Sequence, residues 1–172
     1  MFVPLSVRIW LLISSIIVTW DYTFVLLRPE TLPGGSLHSY YWPYAKYIQL
    51  DTLYSNPKDR FLYFQSWFNC FESILAFSSL LILMRKGRQG QIIGAFMAFA
   101  VSSFTFWKTF LYFAYDEAFI DYKMPVEELI GIFFVPNSFW ILMPGYSMWR
   151  IAREFYKFCT KMEERETNNK KM

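Results

Sequence analysis

Residues 61–84 read FLYFQSWFNCFESILAFSSLLILM. The run has roughly the 20 apolar residues that a helix needs to cross the hydrocarbon core of a bilayer. Gln65, Asn69 and Glu72 interrupt it at i, i+4 and i+7, which places them on one stripe of a helix. A carboxylate in hydrocarbon is expensive and persists only where it faces a partner, water or a ligand. The stretch therefore predicts a membrane helix whose single polar face meets other polar faces.

Three further segments have the same character. With the first they give spans at about 9–28, 61–84, 92–115 and 129–149. Each carries its own polar or ionisable group: Asp21, Glu72, Lys108 and Asn137 in turn. The apolar run of the first span is too long for a signal peptide, and no small-residue cleavage pattern follows it, so it reads as a retained span. The fold class expected is all-α, a polytopic membrane protein built as a four-transmembrane-helix bundle. Residues 1–160 form that domain and 161–172 a charged cytosolic tail, disordered from about Glu163 because it lacks apolar residues.

Composition agrees. The chain is 55% hydrophobic and 22% aromatic over 172 residues, too apolar to cover a water-exposed surface. A net charge of +3 offers no basic field for nucleic acid, which is excluded as a partner. Cys70 and Cys159 suggest no disulfide framework, and His38 is the single histidine, so neither a metal nor another cofactor is expected. Arg85, Lys86 and Arg88 follow the second span, and Arg150, Arg153, Lys157 and Lys161 follow the fourth. The loop between spans three and four is acidic, with Asp116, Glu117, Asp121, Glu127 and Glu128 against Lys123. Basic loops stay in the cytosol, so both termini are expected there.

The connection between the first two spans is long and aromatic, with Tyr40, Tyr41, Trp42, Tyr44 and Tyr47 around a Pro33-Gly34-Gly35 turn signal. Such rings suit a headgroup belt, and equally a lid over a pocket open to that leaflet. Counting about 1.5 Å per residue, Asp21, Glu72, Lys108, Asn137 and Trp140 all fall roughly 10–17 Å below the lid-side boundary. Thr105, Lys108 or Thr109, and Tyr112 share a stripe on the third span. Pro136 is expected to kink the fourth span and free a carbonyl. Two readings of the charged groups stand. Either Lys108 pairs with Asp21 or Glu72 to hold the bundle together, or the groups line a pocket for proton transfer on an apolar substrate. In the second case a carboxyl kept neutral by its apolar surroundings acts as acid, the other carboxylate as base, and a tryptophan face steadies a cation.

The pieces WDYTFVLLRP (20–29), YWPYAKY (41–47), FQSWFNCFESILAF (64–77), FLYF (110–113) and VPNSFWILMPG (135–145), in this order, resemble the emopamil-binding protein family. These are EXPERA-domain membrane proteins, and the group includes sterol isomerase and the sigma-2 receptor. The resemblance covers most of the chain and is to the shorter four-span members. It implies an EXPERA-like bundle in the endoplasmic reticulum membrane with a cavity for a sterol or other apolar lipid, or a cationic amphiphile. A homodimer is also among the partners it implies. Asp21 and Glu72 fall where the isomerase has its two catalytic carboxyls, and Asn137 and Trp140 where it has its last-helix asparagine and tryptophan. Asn69, Lys108, Tyr112 and Trp20 complete the expected substrate-binding set. The chain also departs from the isomerase. Ile17 stands where a histidine precedes the first acid, and Lys108 and Thr109 stand where it has a glycine and an acid. A lysine beside either carboxyl favours the ionised form and works against a protonated acid. The functions expected are therefore sterol double-bond isomerisation or, with that reaction lost, non-catalytic sterol binding or trafficking.

Overall fold

The computed structural model describes residues 2–85, 87–115 and 125–171. Lys86 and the acidic positions Asp116, Glu117 and Asp121, together with Lys123, lie outside the described residues. Among those described, every regular element is helical. The elements are α1 (Leu5–Leu26), a 3-10 turn (His38–Tyr41), α2 (Tyr44–Leu50), α3 (Thr52–Ser55), α4 (Arg60–Leu83) and α5 (Arg88–Tyr115). The chain ends with α6 (Val126–Glu128), a π-helical stretch (Leu129–Phe134) and α7 (Val135–Lys171). Four helical units are long and apolar enough to cross a membrane: α1, α4, α5 and the continuous unit from Val126. This is compatible with a multi-pass membrane protein.

The distribution of side chains is inside out relative to a protein in water. On α4 the buried residues include Gln65, Ser66, Asn69, Glu72, Ser73, Ala76 and Ser79. Phe64, Phe68, Phe71, Ile74 and Leu81 point outward and are exposed. On α5, Gly94, Ala95, Ala98, Ser102, Thr105, Lys108 and Thr109 are buried, whereas Phe96, Trp107 and Leu111 face out. Lipid solvates the outward aromatics, and small residues allow the helix backbones to approach closely. Ser79 donates to the carbonyl of Gly94 at 2.9 Å across this seam.

Helix packing follows chain order: α1 on α4, α4 on α5, α5 on α7. The arc closes at one end only. There Ser6 meets Tyr146 at 3.2 Å and Trp10 packs edge-on to Trp140 at 5.7 Å. A core of Val3, Val7, Leu11, Leu83, Ala98 and Ile151 fills that end. A second core, with Phe24, Leu50, Tyr54, Leu62, Tyr112 and Phe133, fills the other end beneath the 29–59 connection. Asp59 caps α4 by accepting the Leu62 N–H at 2.6 Å, and Asp51 caps α3 by accepting that of Leu53 at 3.1 Å.

One expectation is corrected. The tail is helical through Lys171 rather than disordered. A helix already nucleated by α7 extends one residue at a time without a new nucleation cost, and Glu, Lys and Arg are good formers. Pro136 is the second residue of α7, directly after the π-helical stretch Leu129–Phe134. Proline cannot donate to the carbonyl four residues back, and a wider turn absorbs the mismatch.

The α4–α5 seam gives a direct check. A Cβ on Gly94 would sit 2.6 Å from Leu83 Cγ and 3.2 Å from the Leu83 backbone nitrogen. Gly94→Ala is expected to destabilise the protein in detergent by about 1–3 kcal/mol in thermal or denaturant unfolding. Gly131→Ala, where a Cβ meets nothing within 4 Å, is expected to be neutral or slightly stabilising.

Candidate functional site

Between the two cores lies a cavity of about 450 Å³. Its walls come from every spanning helix and from the connection. α1 supplies Ile17, Val18, Trp20 and Asp21, α4 supplies Leu62, Gln65 and Asn69, and α5 supplies Lys108, Thr109 and Tyr112. Ile132, Pro136, Asn137 and Trp140 form the last wall, and Pro43, Tyr44, Tyr47 and Tyr54 roof it. The connection thus divides its aromatics: Tyr44 and Tyr47 cover the cavity, while Tyr40 and Trp42 point away and are more than 70% exposed.

Asp21 is the one carboxyl among the lining residues. Its Oδ1 accepts from the hydroxyls of Tyr44 at 2.6 Å and Tyr54 at 3.0 Å, and its Oδ2 accepts from the Asn69 amide at 3.2 Å. Two of these donors belong to the roof, so Asp21 binds the connection to the bundle. Tyr44 also stacks on Phe24 with centroids 4.0 Å apart, and Trp20 stacks on Tyr41 at 5.6 Å. Burial first, then the Asp21 charge, holds the Tyr44 and Tyr54 phenols well above their usual range, so both stay protonated donors.

The other face of Asn69 continues the line of hydrogen bonds. Its Oδ1 accepts from Lys108 Nζ, which also donates to Glu72 Oε2 at 2.5 Å. Thr105 donates to Glu72 Oε1 at 2.7 Å. Gln65 donates to the Lys108 backbone carbonyl at 3.1 Å, a further tie between α4 and α5. The sequence left open which carboxyl pairs with Lys108. In the structure it is Glu72, and Asn69 stands between the lysine and Asp21.

Glu72 does not reach the cavity. It lies behind Asn69 and Lys108 and lines a separate water-sized pocket with Ser14, Ser73 and Ser102. One helical turn explains the displacement, because Asn69 occupies the lid-side position on the same stripe. Of the eight residues expected to form the site, seven line one cavity: Asp21, Asn137, Trp140, Asn69, Lys108, Tyr112 and Trp20. Asn137 spends its amide on the Phe133 carbonyl at 2.7 Å, with Tyr47 OH at 3.4 Å, so it satisfies a carbonyl of the π-helical stretch as well as facing the cavity.

Two residues of the α1 wall, Ile17 and Trp20, are also 41% and 38% exposed on the outer surface. Trp10 and Trp140 close the seam below. Sequence reading missed Asp51, a wholly buried carboxyl in the connection whose partner is the Tyr112 hydroxyl. An acid in a turn-rich segment normally reads as a solvated cap, and no periodicity marks it as internal. The chain has no match among family models and no significant match among curated proteins or solved structures.

The buried pair predicts a non-additive mutation set. Lys108→Ala leaves the buried Glu72 without its counter-ion, with only the Thr105 hydroxyl still donating to it, and is expected to cost about 3–5 kcal/mol. The double substitution Glu72→Gln with Lys108→Met removes both charges and is expected to recover most of that loss in thermal unfolding. A double variant as unstable as Lys108→Ala would show that packing, not charge, sets the cost.

Proposed function

We propose that this chain is an EXPERA-type, multi-pass protein of the endoplasmic reticulum membrane that binds a sterol or similar apolar lipid. Both termini would lie in the cytosol, as the basic residues flanking the spans favour. The observation that carries the reading is the cavity. At about 450 Å³, it falls within the usual range for small-molecule sites and is walled by aliphatic and aromatic groups with a few convergent polar atoms. Ile17 and Trp20 line it and are also exposed on the face that a bilayer would cover, a route by which an apolar ligand would enter without crossing water.

Binding without turnover is the better supported form. Moving a ring double bond requires one group to donate a proton and another to remove one. Among the described residues only Asp21 presents a carboxyl to the cavity, and three donors already hold it as an acceptor. The second candidate, Glu72, is engaged by Lys108 and Thr105 behind the wall. Isomerisation remains a second reading because Trp20 and Trp140 both line the cavity near Asp21, as a cation-stabilising cradle would.

Protein reconstituted in nanodiscs is expected to bind dehydroergosterol, read by energy transfer from tryptophan. A bulky Thr109→Trp substitution at the cavity wall should weaken that binding at least tenfold, whereas Phe96→Trp on the outer face should not change it. Equal binding by both variants would remove the cavity as the site. Expression in sterol-isomerase-deficient cells separates the two readings. The ratio of the two double-bond isomers, measured by mass spectrometry, should stay that of the deficient cells. A normalised ratio that is lost with Asp21→Asn would establish catalysis instead.

A further inference from the structure

Asp51 is the buried acid that the proposed site does not use. It is fully buried, sits between α2 and α3, and lies outside the spanning helices. Its Oδ2 accepts from the Tyr112 hydroxyl on α5, and its Oδ1 from the Leu53 N–H at 3.1 Å. Tyr112 lines the cavity, as do Tyr44, Tyr47 and Tyr54 of the connection. The Asp51–Tyr112 bond therefore ties the roof to a spanning helix at the cavity wall.

The remaining ties of the connection differ in kind. Arg28 donates to the carbonyls of Leu53, Tyr54 and Asn56 at 2.9, 3.2 and 2.8 Å, which pins the two ends of the connection together. Thr31 donates to the Phe24 carbonyl at 2.7 Å and Tyr41 to the Thr23 hydroxyl at 2.9 Å, both near the end of α1. These ties hold the base of the connection. The α2–α3 part, which covers the cavity, is held by Tyr44 and Tyr54 on Asp21 and by Asp51 on Tyr112, with longer contacts of Lys46 to Glu128 and of the Asn137 amide to the Tyr47 hydroxyl, both at 3.4 Å.

We infer that Asp51 is a proton-dependent latch for this roof, closed when its carboxyl is neutral and released as the carboxyl ionises. Among the described residues, no cationic side chain hydrogen-bonds to Asp51. Tyr112 faces it from α5, Tyr47 from α2 and the Tyr54 backbone from α3. Arg28, just beyond α1, feels its charge, but its Nε and Nη1 donate to carbonyls, and it also feels Asp59 at the start of α4. Asp21 adds negative charge from the cavity side, acting on Tyr47 and Tyr54. Burial accordingly pushes the Asp51 carboxyl up to about 7, against the Tyr112 and backbone bonds that favour the anion.

The direction of the effect follows from linkage. In the closed roof Asp51 keeps its proton until about pH 7, whereas in an opened, hydrated roof it would ionise near the ordinary value of 3.8. Below that value both states are protonated and closure is most favoured. As pH rises between the two values, opening gains by up to about tenfold per pH unit, and the gain levels off above about 7. A ligand entering or leaving past Tyr44 and Tyr47 would then exchange faster at neutral than at acidic pH.

The test needs no ligand, so it stands or falls apart from the sterol reading. Hydrogen–deuterium exchange of peptides covering 44–55 would be followed from pH 5.5 to 8.5, corrected for intrinsic exchange and referred to a peptide from the middle of α4. In the wild type, protection of 44–55 is expected to fall at least fivefold from pH 5.5 to 7.5 and then to level off. Asp51→Asn, a neutral isostere, is expected to stay protected across the range. Tyr112→Phe, which removes the donor on α5, is expected to be poorly protected throughout. A flat wild-type profile, or the same fall in Asp51→Asn, would overturn the latch.

Discussion

Two opposite charges, Lys108 and Glu72, meet at 2.5 Å in the middle of a bundle that hydrocarbon would surround. Neither can be left alone there, because an unpaired ion at that depth costs several kcal/mol. The pair therefore fixes the rotation of α4 and α5 about their axes, and everything on the same stripes is fixed with it. Thr105 holds Glu72 from below, Asn69 holds Lys108 from above, and Asn69 in turn donates to Asp21 on α1. A single line of hydrogen bonds thus orients three helices and ends at the one carboxyl that faces the cavity. The cavity lies at the lid-side end of this polar line, while small residues let α4 and α5 close together further down.

The same arrangement separates the two acids by environment. Asp21 meets neutral donors from the roof and Asn69, with the lysine one residue removed. Glu72 meets the lysine itself. Exchanging the places of Asn69 and Glu72 on the stripe would exchange those environments, since they are one helical turn apart. A lysine on the third span is in this sense the choice that commits Glu72 to holding the bundle and leaves Asp21 to face the cavity.

Much of this was legible because hydrocarbon imposes strict rules on sequence. Four apolar segments, each with a polar stripe, are enough to name the helices and their inward faces, and Gln65, Asn69, Thr105 and Lys108 are all buried where the spacing places them. Depth counting brought Asp21, Lys108, Asn137 and Trp140 to one level, and these line one cavity. It misplaced Glu72 because one helical turn is within the error of any boundary read from sequence. The roof was least legible. Tyr44, Tyr47 and Tyr54 read equally as an interfacial belt, and Asp51 as a solvated cap, because short helices in a connection carry no periodicity to say which side is inward. The helical tail was missed for a different reason. Composition reports whether a segment can fold alone, and this one instead continues a helix already formed.

The most direct test of the account is where a sterol sits. A photoreactive sterol carrying a diazirine, activated in nanodiscs and mapped by peptide mass spectrometry, should label 17–21 of α1 and 132–140 of the last helix, two walls of the cavity. Labelling confined to the outward rings, such as Phe71, Phe96 and Trp107, would mean that sterol merely solvates the surface, and would contradict the assignment of the cavity.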